Sequence, residues 1–178
     1  LVAALLAAGR HRVIYRPHPR SGVVNKEYGA ANARIIAALA AANAADPSAQ
    51  HVFDEGAELG WQLSAADVAI VDISAMVYDR LAAGKALMIT RPLDPAATID
   101  THGYLSACEW LDASEAAHIA AHCVRLLDDP ETTARLEYWV RHYFGDTTPG
   151  VATARFQGAI ETLMDEWDLW HGAALAAG

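Results

Sequence analysis

Val68-Ala69-Ile70-Val71-Asp72-Ile73-Ser74 is the stretch that decides the fold class. From Val68 to Val71 every position is apolar, the pattern of a parallel strand covered by helices on both faces. The spacing predicts a strand over 68–72. Ser74 opens a helical pattern over 74–83 that ends at Gly84, and 86–90 reads as another buried strand. A strand, a helix and a strand in succession imply parallel pairing through a right-handed crossover.

Working outward, the same alternation recurs. A helical opening stops at Gly9, and 12–16 reads as a short strand closed by Pro17 and Pro19. An Ala-rich helix follows over 25–43, with Ile35, Ile36 and Leu39 on its apolar face. Next come a turn at Asp46-Pro47-Ser48, a strand over 51–54 and a helix over 56–65. Beyond the central strands lie a loop rich in Pro, Asp and Thr (91–104), a strand near 107–111, and helices over 114–127, 130–143 and 151–170. Trp139, Trp167 and Trp170 are expected to pack those last helices. The pattern predicts an α/β fold with a Rossmann-like parallel sheet flanked by helices, and residues 1–178 as a single lobe.

Composition narrows the function classes. The 178 residues are 53% hydrophobic and 20% charged, enough to bury a core and too apolar for a disordered tail. The formal net charge of -9 argues against nucleic acid, whose binders gain affinity by neutralising phosphates with Lys and Arg. A small phosphorylated ligand needs only a few local cations and backbone N–H groups. Cys108 and Cys123 have no CxxC spacing and read as reduced thiols packed like small apolar side chains, which points to a cytoplasmic location. No apolar run approaches the roughly 20 residues of a membrane span. The apolar opening 1–9 lacks the basic flank of a signal peptide and reads as a helix belonging to a longer protein.

In a parallel sheet, ligands bind beyond the carboxyl ends of the strands. Three polar clusters are expected at that edge: Arg16-Pro17-His18-Pro19-Arg20, Asp72-Ile73-Ser74 and Thr90-Arg91-Pro92. Arg16, His18 and Arg20 alternate across a loop stiffened by two prolines, an arrangement suited either to a diphosphate or to a plain basic turn. Ser74 sits where a strand becomes a helix, so its hydroxyl either caps that helix or meets a phosphate. Asp79 lies further along the same helix, with Arg80 and Lys85 as candidate ion-pair partners. Gly145-Asp146-Thr147-Thr148-Pro149-Gly150 precedes the last helix, either as an anion-friendly nest or as a plain connector, with Arg155 one turn into that helix. His118 and His122 stand i, i+4 with Glu115 one turn earlier. Ile119 occupies the place where the zinc-protease pattern needs Glu, so no metal is expected. The chain carries no Rossmann glycine fingerprint, Walker loop or GxSxG, and no cofactor is predicted.

Together these stretches resemble the CDP-glycerol glycerophosphotransferases of teichoic-acid synthesis. Residues 13–19 are similar to the family's basic HP element and 66–79 to its Asp-Tyr-Ser-Ser stretch. Residues 84–89 resemble the strand that follows, and 143–150 the late glycine-bearing loop. The elements occur in the family's order and cover nearly the whole chain. Ile73, Ala75 and Ala86 depart from the family's Tyr, second Ser and Pro, which removes one hydroxyl from the expected phosphate contacts.

The resemblance implies the nucleotide-binding, C-terminal lobe of a glycosyltransferase-B-type fold, preceded in the family by an N-terminal lobe that carries the acceptor site. It implies a transferase acting on a CDP-activated polyol phosphate donor, with a polymer or lipid-linked acceptor in cell-wall synthesis. The full-length protein would then sit at the inner face of the cell membrane, and this chain would not turn over by itself. By position, His18 matches the family's functional histidine, as base or as phosphate ligand. Ser74 and Asp79 match its serine and aspartate motif, and Thr148 and Gly150 fall in its phosphate loop, next to Thr147. Arg16, Arg20 and Asp72 complete the expected binding set. The alternatives are a sugar-nucleotide-dependent glycosyltransferase lobe and a non-catalytic binding module of the same fold.

Overall fold

The computed structural model describes residues 1–100 and 102–176. The chain is mixed α/β, with small parallel sheets flanked by helices, and divides into two compact units, Leu1–Glu137 and Tyr138–Gly178.

The first unit opens with α1 (Val2–Ala7), which buries Leu5 and stops before Gly9 at a φ of 65°. Strand β1 (Ile14–Tyr15), helix α2 (Lys26–Ala45) and strand β2 (Val52–Phe53) form a βαβ unit with β1 and β2 parallel. Asn25 caps α2 by accepting the Glu27 N–H at 2.8 Å. Helix α3 (Trp61–Ala65) leads into β3 (Val68–Val71), and α4 (Met76–Ala82) connects β3 to β4 (Ala86–Thr90). Strand β5 (Glu109–Leu111) completes a parallel β3-β4-β5 sheet. Helices α5 (Ile119–Asp128) and α6 (Pro130–Phe144) follow, and α6 runs on into the second unit.

One core serves both sheets. Leu5, Val13, Leu39, Met88, Leu111 and Ile119 are buried together, and Tyr15, Phe53, Val68 and Ile70 pack against them. Strand β4 is buried from Ala86 to Ile89, as a central parallel strand must be; Leu87 and Ile89 alternate to the face opposite Met88. Helix α4 packs on β4 and buries Val77 and Leu81.

Several sequence expectations need correction. Among the described residues the strands form two hydrogen-bonded sets, β1-β2 and β3-β4-β5, rather than one sheet. Residues 56–60 are not helical, because neighbouring side chains capture their backbone: Arg16 binds the Gly56 and Glu58 carbonyls, and Asp54 takes the Gly56 N–H. Residues 113–118 form 3-10 turns before α5, entered through an Asp112–Glu115 capping box. Arg80 and Lys85 do not pair with Asp79; Arg80 is fully buried on backbone carbonyls, and Lys85 donates to the Ser64 carbonyl at 2.6 Å.

In the second unit, Trp139 packs edge-on against Tyr138 and His142 and stacks on Tyr143. Helix α7 (Val151–Ala176) is longer than its pattern suggested. Contrary to expectation, Trp167 and Trp170 are largely exposed on it rather than packed. Among the described residues, no helix is long and apolar enough to cross a membrane.

Candidate functional site at the strand carboxyl ends

Parallel register brings the carboxyl ends of β3, β4 and β5 to one edge. Val71 lies opposite Ile89 and Thr90 opposite Leu111, so Asp72, Thr90, Arg91 and Asp112 leave the sheet as neighbours. The Thr90 hydroxyl donates to the Asp72 carboxylate. Arg91 donates its backbone N–H to the Leu111 carbonyl at 2.9 Å, pairs with Asp112 at 3.0 Å, and lies 5.1 Å from the centre of the Trp110 ring. Both ends of the Arg91 residue are thereby fixed at the edge.

Ser74 stands exposed just beyond Asp72. Its hydroxyl donates to the Asp72 carbonyl and accepts the Met76 N–H, both at 3.3 Å. Bonds that long are readily exchanged for a stronger acceptor. The Ser74 hydroxyl thus meets the first N–H of α4, whose N-cap position is Ala75. Asp79 is exposed in the first turn of α4.

The loop after β1 is organised by different contacts. His18 and Arg20 are exposed, and the His18 Nδ1 accepts the Arg20 backbone N–H at 3.1 Å. In the neutral ring the remaining proton must then sit on Nε2, which makes the outward nitrogen a donor. Close backbone contact between Gly22 and Gly29, together with an Asn32 Nδ2 bond to the Ser21 carbonyl at 3.2 Å, seats this loop on the start of α2.

Arg16 faces inward. Its guanidinium binds the Asp54 carboxylate at 2.7 Å, the Glu58 carbonyl at 3.0 Å and the Gly56 carbonyl at 2.9 Å. The Arg16 hydrogen bond, with a second from Gln62, holds the Asp54 carboxyl below its ordinary value of 3.8. A lowered carboxyl pKa contributes stability above the unfolded value and loses it as pH falls through the folded one. We therefore expect the urea midpoint to drop on acidification below about 3.8, and Asp54→Asn to flatten that part of the profile. An unchanged pH profile in the variant would contradict this assignment.

In the second unit, Thr147, Thr148 and Gly150 are exposed. The Thr148 backbone N–H donates to the Asp146 carboxylate at 2.9 Å. A side-chain hydrogen bond from Thr148, then this backbone bond, with the charge of Arg155 as a smaller cause, lower the Asp146 pKa. The loop turns through Gly145 and Gly150, with φ of 66° and 89°, and Ala154 N–H donates to the Gly150 carbonyl at 2.9 Å.

One partner escaped the sequence reading: Asp54, which anchors Arg16, is visible in the sequence only as the last residue of a strand. Thr90, expected at this edge beside Asp72, ends β4 there. His122 lies 3.8 Å from Glu115 while its Nδ1 faces Arg125 at 3.0 Å. No group of three or more His, Cys, Asp or Glu residues among the described residues is placed to hold a metal ion. Both thiols are free, and burial pushes the Cys108 thiol up to about 12, so it is a poor nucleophile. Comparison with protein-family models, curated proteins and solved structures finds no match for this chain.

Proposed function

We propose that the chain binds a CDP-linked polyol phosphate as the nucleotide-binding lobe of a glycerophosphotransferase with a glycosyltransferase-B-type fold. The observation that carries the reading is the edge of the β3-β4-β5 sheet: Asp72 and Thr90 bond across neighbouring strands, with the exposed Ser74 hydroxyl beside them. Open parallel sheets bind ligands at this edge, and the motif resemblance supplies the ligand class.

In the proposed reaction an acceptor hydroxyl attacks the β-phosphorus. A new P–O bond forms, the bond from that phosphorus to the bridging oxygen breaks, CMP leaves with the bridging oxygen, and the proton of the acceptor hydroxyl passes to solvent water. The barrier falls when the growing charge on CMP meets preorganised donors. Ser74 supplies a hydroxyl, and His18 supplies its Nε2–H as a phosphate ligand rather than as a base. Arg20 adds positive charge beside it. Asp72 and Asp79 are acceptors suited to ribose or polyol hydroxyls. Arg16 acts as a positioning residue, because its contacts fix the end of β1 to the loop after β2. Thr147, Thr148 and Gly150 stand as a separate anion-binding candidate.

Calorimetry with CDP-glycerol, CDP-ribitol and CMP tests the reading. Binding of the CDP compounds is expected, with His18→Ala weakening CDP-glycerol by about tenfold, the loss of one charge-assisted hydrogen bond. CMP, which keeps the phosphate that carries the leaving charge, should be weakened by a similar factor. No heat with any cytidine nucleotide would overturn the proposal, and preference for UDP- or GDP-sugars would favour a sugar transferase.

A further inference from the structure

Helix α7 carries an apolar seam that the residues of the second unit leave uncovered. Phe156, Ile160, Leu163, Trp167 and Trp170 recur at alternating spacings of four and three residues, and all are exposed. That 3.5-residue period is the seam of a helix that pairs with another helix. A depression of about 330 Å³ on the seam is lined by Ile160, Leu163, Met164 and Trp167, with Asp168 at its side. Residues i, i+3, i+4 and i+7 form the diamond-shaped hole that receives one side chain of a facing helix.

Charge says which helix fits. From Phe156 onward α7 carries Glu161, Asp165, Glu166 and Asp168, and neither Lys nor Arg. At about 100° per residue, Glu166 borders the seam on one side, and Asp168 lies beyond Met164 at the edge of the depression on the other. A second copy of α7 would, from Phe156 onward, bring its own four carboxylates and no Lys or Arg to the seam, and an anionic lipid surface would be repelled likewise. A helix with Lys or Arg beside its apolar residues would meet these carboxylates, and its cations could also lie over the exposed Trp167 and Trp170 rings.

From this seam, its hole and its acidic borders we propose that α7 is a docking site for a basic amphipathic helix of a partner protein. The inference is independent of the nucleotide reading.

The probe is a synthetic heptad peptide with Leu at the seam and Lys at the flanking positions, followed through Trp fluorescence. Its control carries Glu in place of Lys. The lysine peptide should bind at least about tenfold more tightly than the glutamate peptide. Leu163→Glu should weaken the lysine peptide by at least about tenfold although it adds negative charge, which separates seam docking from general attraction. Glu166→Lys combined with Asp168→Lys, which leaves the apolar seam intact, should shift preference toward the glutamate peptide. Equal binding of the two peptides, or binding of neither, overturns the proposal. So does a dimer in sedimentation equilibrium that Leu163→Glu dissociates, since the occupant would then be a second copy.

Discussion

Arg80→Met should destabilise the protein by about 3–5 kcal/mol, the cost of leaving several buried carbonyls without donors. Arg80 is 0% exposed and ties together segments that meet where β3 and β4 begin. Its Nε and Nη2 donate to the Ala86 carbonyl at 3.1 and 3.0 Å. Nη2 also donates to the Asp67 carbonyl at 2.7 Å, and Nη1 donates to the Leu63 carbonyl. Burial lowers the Arg80 pKa to about 10, so the guanidinium stays charged at neutral pH. Replacing a buried ion pair by apolar residues is often harmless because both partners are removed. Here the partners are main chain and remain. Met preserves much of the volume, so the loss reports the hydrogen bonds rather than a cavity. For a domain near the low end of the typical range of about 5–15 kcal/mol, little would be left. Urea denaturation measures it, and a loss under about 1 kcal/mol would mean that water or a backbone shift replaces the guanidinium.

Gly22→Ala should cost about 2–4 kcal/mol, the sum of backbone strain and overpacking. Gly22 has a φ of +87°, where a side chain is strained. A Cβ there would stand 2.6 Å from the Gly29 Cα and 2.9 Å from its nitrogen, and helical backbone cannot yield as a flexible side chain can. Gly29→Ala is the counter-experiment. Its Cβ would meet Gly22 atoms at 3.5 Å, an ordinary contact, and Ala within a helix is favoured over Gly by roughly 0.5–1 kcal/mol. The two substitutions should therefore shift stability in opposite directions. Gly22→Ala should also expose Arg20 to trypsin, because the loop that carries His18 would lift from α2. Equal urea midpoints for the two variants would show that this contact does not hold the loop.

The parts of the fold legible in sequence were those governed by local pattern. The apolar runs of β3 and β4, the start of a helix near Asn25 and the Gly84 stop each depend on neighbours a few residues away. What escaped depends on distant partners. Nothing near residues 56–60 announces that Arg16, about forty residues upstream, takes two of their carbonyls in place of a helix. Arg80 looked like a surface partner for Asp79, because a charge buried on carbonyls leaves no mark in spacing. The division into two sheets was equally hidden, since periodicity predicts strands but not which strand each one pairs with. Trp167 and Trp170 read as packing residues of the last helices because large aromatic side chains are usually covered, and nothing in their spacing shows that they are left exposed. At the candidate site, the placing of Asp72, Thr90 and Ser74 at strand ends followed from the pattern, while the orientation of the His18 ring required coordinates.

The central claim is that a cytidine nucleotide sits at the carboxyl edge of the β3-β4-β5 sheet, beside Ser74. Amide chemical-shift mapping with CDP-glycerol on isotope-labelled protein addresses it most directly. The account predicts shifts concentrated at residues 72–76, at Thr90–Arg91 and in the loop carrying His18 and Arg20. Shifts confined to the charged depression around Glu109, Arg125 and Arg135, or no shifts at saturating nucleotide, would contradict it.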